Sequence, residues 1–204
     1  MKIFATFLTS IAAVAALGTA GPAAAGGRRI CAGPPVQWMG IQPGARIGRF
    51  HLGPSGIENL KDQTTKPYAT GSDESGTYQA WKWEQDFTFF VHEVRDTASG
   101  AGSSGVSLDL IGFTYPHDAV YRVIGTSIST GSTLEEISKK FPGAQPVANA
   151  PAVYDDVQQG IAFEFEKDAT PQSPCIALMV HLPGQSRIMT LEQVNELLKK
   201  GSDR

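Results

Sequence analysis

The sequence predicts an α+β fold: two related strand–helix–strand–strand halves, antiparallel sheet with short helices packed on one side, and an extra C-terminal helix. Three observations predict it. A turn-and-helix phrase occurs twice, each copy is followed by segments with period-two alternation, and the chain closes on the amphipathic run "MTLEQVNELLKK".

The phrase comes first. Ile47–Leu60 aligns without a gap on Ile124–Ile137, 77 residues later. Of the 14 pairs four are identical, Ile47/Ile124, Gly48/Gly125, Ser55/Ser132 and Glu58/Glu135, and Ile57/Leu134 and Leu60/Ile137 are aliphatic exchanges. The shared residues have one mechanical job. Ser55-x-x-Glu58 and Ser132-x-x-Glu135 have capping-box spacing, in which the Ser oxygen accepts a first-turn amide and the Glu reaches back to the cap's own amide. Leu134, Ile137 and Phe141 then fall on one helical stripe. Pro142-Gly143 stops the second helix and Pro67 the first. Helices this short are not stable alone and must lie on an apolar bed.

That bed is sheet. "GIAFEF" places Ile161, Phe163 and Phe165 on one face, with Ala162 and Glu164 on the other. "CIALMVHLPG" aligns Ile176, Leu178, Val180 and Leu182, and the polar loop "EKDATPQSP" joins the two as a hairpin. The first copy has counterparts in "TYQAWKW", "FTFFVHEV" and "GVSLDLIGFTY". "TASGAGSSG", residues 97–105, reads as the flexible loop of a first-half hairpin. In the last helix Thr190 caps with Gln193, and Leu191, Val194, Leu197 and Leu198 form the apolar stripe.

The domain plan follows. Residues 1–25 read as a signal peptide: Lys2, an apolar run from Ile3 to Leu17, and the small-residue site Ala23-Ala24-Ala25. Residues 26–46 form a Gly/Pro-rich N-terminal segment, 47–115 the first half, 116–188 the second, and 189–204 the C-terminal helix and tail. Polar interruptions in the first apolar run argue against a span, and no other run approaches the roughly 20 residues a spanning helix needs. The expectation is a periplasmic or extracellular protein with no membrane span after signal cleavage. Thiols oxidise outside the cytoplasm, so the two cysteines, Cys31 and Cys175, are expected to form a disulfide.

The formal charge is −3, and no cluster of Lys and Arg exceeds a pair. Nucleic-acid binding needs a basic footprint, so that class is set aside.

The phrase "GSTLEEI" at Gly131–Ile137, with its looser twin Gly53–Leu60, Tyr154-Asp155, "GIAFEF" and Pro183-Gly184, resembles exported bacterial proteins of uncharacterised function built on a tandem strand–helix–hairpin unit. It is similar in style to the beta-lactamase inhibitor protein and to the small lipoprotein of the outer-membrane assembly machine. The resemblance covers about Ile47–Gly184 and implies protein binding on a sheet face. The first copy departs from the pattern at Gly56, and no inhibitory loop carries over.

Catalytic signatures are sparse. His51, His92, His117 and His181 lack local ligand spacing, so no metal site or cofactor is expected. "GAGSSG" at 100–105 matches a dinucleotide-loop spelling but runs into an alternating strand, where phosphate binding needs a helix start. Asp155-Asp156 reads as a turn before a strand. The aromatics are the lead: Tyr78, Trp81, Trp83 and His92 are the expected binding surface, since Trp and Tyr anchor partners. Core packing of the two tryptophans is the competing reading. The sequence thus favours a non-enzymatic binding module recognising a protein partner or envelope component. The alternatives are a small cell-envelope hydrolase using His92, His181 and Asp155 as acid–base groups, and an inhibitor or immunity-type protein.

Overall fold

Four antiparallel strands follow each of the two short helices, and the two runs join into one sheet. The computed structural model describes residues 40–63, 66–82, 88–96, 105–114, 121–129 and 131–202. The chain opens with strands β1 (Gly40–Gln42), β2 (Arg46–Ile47) and β3 (Phe50–His51), followed by helix α1 (Pro54–Gln63). Strands β4 (Ala69–Ser72), β5 (Gly76–Lys82), β6 (Thr88–Asp96) and β7 (Gly105–Thr114) complete the first half. The second half runs β8 (Arg122–Val123), α2 (Leu134–Lys140), β9 (Gln145–Val147), β10 (Ala150–Asp156), β11 (Ile161–Glu164) and β12 (Ala177–His181). Helix α3 (Leu191–Ser202) closes the chain.

The large sheet has the order β4-β5-β6-β7-β12-β11-β10-β9, so the halves meet where β7 pairs antiparallel with β12. The expected α+β class and extra C-terminal helix are present, but four strands follow each helix where the strand–helix–strand–strand plan has two, and β4 in the first half and β9 and β10 in the second match none of the expected strand segments. The first copy and the strand that leads into the second meet in a small sheet, β3-β2-β1-β8. Ile41 of β1 stands between Ile47 of the first copy and Val123, the residue just before the second. Gly48 and Gly125, one identical pair of the alignment, both turn the chain at positive φ (58° and 75°), a conformation glycine adopts without a Cβ penalty. Gly40–Gln42 belongs to this sheet although it lies in the segment expected to precede the first half.

Helices α1 and α2 share one face of the large sheet. Ile57 and Leu60 of α1, and Ile137 and Phe141 at α2, pack in a core with Trp81, Phe89, Ile111, Phe163 and Leu178. Helix α3 covers the opposite face, where Val194, Leu197 and Leu198 join Ala69, Ala80, Phe90, Leu110, Val153 and Met179. Double coverage explains β7, in which every residue from Leu108 to Thr114 is buried. Gly112 has a packing reason, because a Cβ there would overlap the Phe90 ring.

The caps differ from expectation. At α2 the box is Thr133 with Glu136: Thr133 Oγ1 accepts from Glu136 N (3.3 Å), and Glu136 Oε2 accepts from Thr133 N (2.9 Å). Ser132 turns away, and its Oγ accepts from Ser129 N at 3.0 Å. Both spellings are present in Ser132-Thr133-Leu134-Glu135-Glu136, and the later one is used. In the first copy Pro54 opens the helix, so Ser55 is a helical residue and not its cap. The Thr190–Gln193 box forms as expected, with bonds of 2.8 and 3.3 Å.

Candidate functional site

Strand parity decides where the aromatic lead goes. Tyr78 and Trp81 are three residues apart on β5, so the pleat sends them to opposite faces. Trp81 stands opposite Phe89, with ring centroids 5.7 Å apart, and is only 2 % exposed. It belongs to the core beneath α1. Tyr78 stands opposite His92 on the other face, with centroids 4.2 Å apart. His92 is itself fully buried, and Trp83 lies outside the described residues. The expected surface of Tyr78, Trp81, Trp83 and His92 is therefore not one surface. Of the three described residues, only Tyr78 is open to a partner.

The α3 face holds a row of polar groups. Leu110 on β7 has His92 of β6 as one cross-strand neighbour and His181 of β12 as the other. The two histidines thus come to one row, as the hydrolase reading requires, but each is sealed against its own carboxylate. A register shift between His92 and Glu93 makes Asp109 an extra residue on β7. Asp109 Oδ1 lies 2.6 Å from His92 Nδ1, and its Oδ2 accepts from Arg187 Nε at 3.0 Å. Across the row, His181 Nε2 lies 2.8 Å from Asp155 Oδ1, Ser186 Oγ donates to Asp155 Oδ2 at 2.6 Å, and His181 Nδ1 faces Leu182 O at 3.0 Å. Consecutive residues of the β12–α3 connection, Ser186 and Arg187, therefore hold the aspartates of two different pairs.

Ser186, Asp155 and His181 are not arranged as a nucleophilic triad. In a triad the imidazole stands between the hydroxyl and the carboxylate and takes the hydroxyl proton. Here the carboxylate stands in the middle, and the Ser hydroxyl donates to an acceptor already engaged by the ring. Asp155 and Asp156 are also not a turn before a strand. They end β10, with Asp155 bonded to His181 and Asp156 accepting Gln159 N at 3.1 Å.

Two further carboxylates are tuned by their surroundings. Glu164 is 7 % exposed, and its Oε2 accepts Leu191 N at the start of α3 (2.7 Å). Burial pushes its carboxyl up to about 7, opposed by the Leu191 amide and reinforced by the Glu192 charge. Burial pushes Asp73 upward as well, but bonds from the Ser75 hydroxyl and amide, the Tyr78 hydroxyl and the Gly76 amide outweigh it. They hold Asp73 well below the usual carboxylate range. His92 Nε2 lies 3.7 Å from Asp73 Oδ1 and has no hydrogen-bond partner among the described residues.

Among the described residues, grooves open on both faces of the sheet. One, of about 290 Å³, runs between α3 and the β4–β5 hairpin, with Tyr78 and Leu197 in its lining and Asp73, Glu196 and Lys200 along it. The other, of about 240 Å³, lies beside α1, with Trp81, Lys61 and Lys66 in its lining.

No family model, characterised protein or solved structure matches the chain. Among the described residues no group of three His, Cys, Asp or Glu side chains is placed to hold a metal ion, and no helix is long and apolar enough to cross a membrane. Cys175 is buried with Sγ 3.0 Å from Ala177 O, while Cys31 and residues 1–25 lie outside the described residues.

Sequence reasoning missed Asp73, Asp109, Ser186 and Arg187. Asp109 carried a legible signal, a single acid between Leu108 and Leu110 in a strand otherwise apolar toward its end. Ser186 and Arg187 sit in a loop whose path no periodicity describes.

Proposed function

We propose that the chain is an exported, non-enzymatic binding module that recognises a protein partner through the Tyr78 groove. The observation that carries this reading is the placement of Tyr78. Its ring rests on buried His92, its hydroxyl is anchored by Asp73 and Arg187, and its open side lines the groove beneath α3. A rigid, half-buried tyrosine is the kind of residue that anchors an interface. Export rests on the character of residues 1–25. The tandem strand–helix–hairpin order, which resembles exported binding proteins, agrees with it. The burial of both His–Asp pairs favours structural roles for His92, His181 and Asp155 over acid–base catalysis.

The test is capture from a native envelope extract on the immobilised mature chain, with Tyr78→Ala as the comparison. The reading expects a defined protein partner that Tyr78→Ala no longer retains. Retention that is indifferent to Tyr78, or ester, peptide or glycoside hydrolysis abolished by His181→Ala, overturns it.

A further inference from the structure

The large sheet has two edges, and they differ. At one end β9 carries Pro146, which has no amide to offer an added strand. At the other end β4 contains no proline, and among the described residues it pairs only with β5. Its outer amides and carbonyls form a row that an extended chain can pair with. Helix α3 packs over the face of this edge strand, and the groove left between helix and sheet forms a trough. Gln193, Glu196, Leu197 and Lys200 recur at helical spacing along its wall, while Gly71, Ser72 and Asp73 form the strand side. Gly71 brings the walls close, since a Cβ there would stand 2.8 Å from Leu197 Cδ1. The trough is acidic on both walls, with the Asp73 and Glu196 carboxylates against the single cation of Lys200. Arg187, partly buried, is engaged by Asp109 and by the Tyr78 hydroxyl. Tyr78 adds an aromatic face, which favours a cationic side chain over an anionic one.

We propose that β4 accepts an extended, basic segment of the partner protein as an added strand, with a Lys or Arg side chain lying between Asp73 and Glu196 and over Tyr78. This rests on the binding-module reading and names the segment that the groove takes. Main-chain pairing supplies register, and the carboxylates select charge.

Two fluorescein-labelled hexapeptides test it, one alternating valine with lysine and one alternating valine with glutamate, titrated by anisotropy against the mature chain. The lysine peptide binds at least about tenfold more tightly, roughly the value of one well-placed charge contact. It also slows amide exchange at Ala69–Ser72. Glu196→Lys, an exposed helix position, cuts the preference at least about fivefold without moving Tm. Equal binding of the two peptides, binding without protection of β4, or no binding of the lysine peptide at millimolar concentration each overturns strand addition. Partner capture that persists alongside any of those results keeps the binding-module reading and removes only the strand. Capture that is indifferent to Tyr78 removes both.

Discussion

His181 Nε2 lies 2.8 Å from Asp155 Oδ1, and neither side chain is more than 3 % exposed. The pair joins β12 to β10 across β11, and Ser186 fixes the far carboxylate oxygen. Removing one member of a buried hydrogen-bonded pair leaves the other's polar atom desolvated without a partner. Asp155→Ala is expected to cost about 3 kcal/mol, and Ser186→Ala, which removes one hydrogen bond, about 1 kcal/mol. Urea unfolding of the protein measures both. A loss below about 0.5 kcal/mol for Asp155→Ala would show that the pair is not structural.

Glu164 makes stability depend on pH. Its folded carboxyl is raised to about 7 from an ordinary 4.5, so the folded chain holds a proton that the unfolded chain releases. The contribution is fully present below about pH 4.5 and is lost as pH rises through about 7. Glu164→Gln keeps an acceptor for Leu191 N and removes the titration. The variant is expected to gain on the order of 2 kcal/mol over the parent at pH 8 and little at pH 4.5, after allowing for partial solvent screening. Denaturation midpoints at the two pH values check this, and a gain equal at both would refute it.

Trp81 and Tyr78 separate packing from recognition. Trp81→Ala empties a core site and is expected to cost about 3–4 kcal/mol, with partner affinity per folded molecule unchanged. Tyr78→Ala is expected to cost about 1–2 kcal/mol and to abolish capture. Unfolding curves paired with binding of the folded fraction read both quantities.

The two spellings of the α2 cap make a sharp comparison. A double-mutant cycle on Thr133 and Glu136 is expected to show coupling of about 0.5–1 kcal/mol, while the cycle on Ser132 and Glu135 shows none. Glu135 instead pairs with Lys139 at 2.6 Å, an exposed contact. Coupling confined to Ser132 and Glu135 would place the cap one residue earlier.

Much of the fold was legible because repetition and alternation are local. The stripe Leu134, Ile137 and Phe141 meets the sheet, and Ile161, Phe163 and Phe165 share a core face as their spacing implies. The α3 face was harder to read. Ala162 and Glu164 look like solvent positions, yet α3 and its approach bury them, and a helix docking from afar leaves no mark on the strand it covers. Parity could have separated Tyr78 from Trp81. The burial of His92 could not be read, because it depends on a bulge that delivers Asp109 and on a loop that delivers Arg187. The site proposed here is therefore the groove that Tyr78 shares with β4 and α3, not the whole aromatic strand.

On the proposed reading, recognition belongs to the Tyr78 groove and the His–Asp row is scaffold. The most direct measurement is isothermal titration of the captured partner against two variants, Tyr78→Ala and Ser186→Ala, each corrected for its folded fraction. At least about a tenfold loss of affinity is expected for Tyr78→Ala, and an unchanged Kd for Ser186→Ala. Unchanged affinity in Tyr78→Ala with a large loss in Ser186→Ala would contradict that reading.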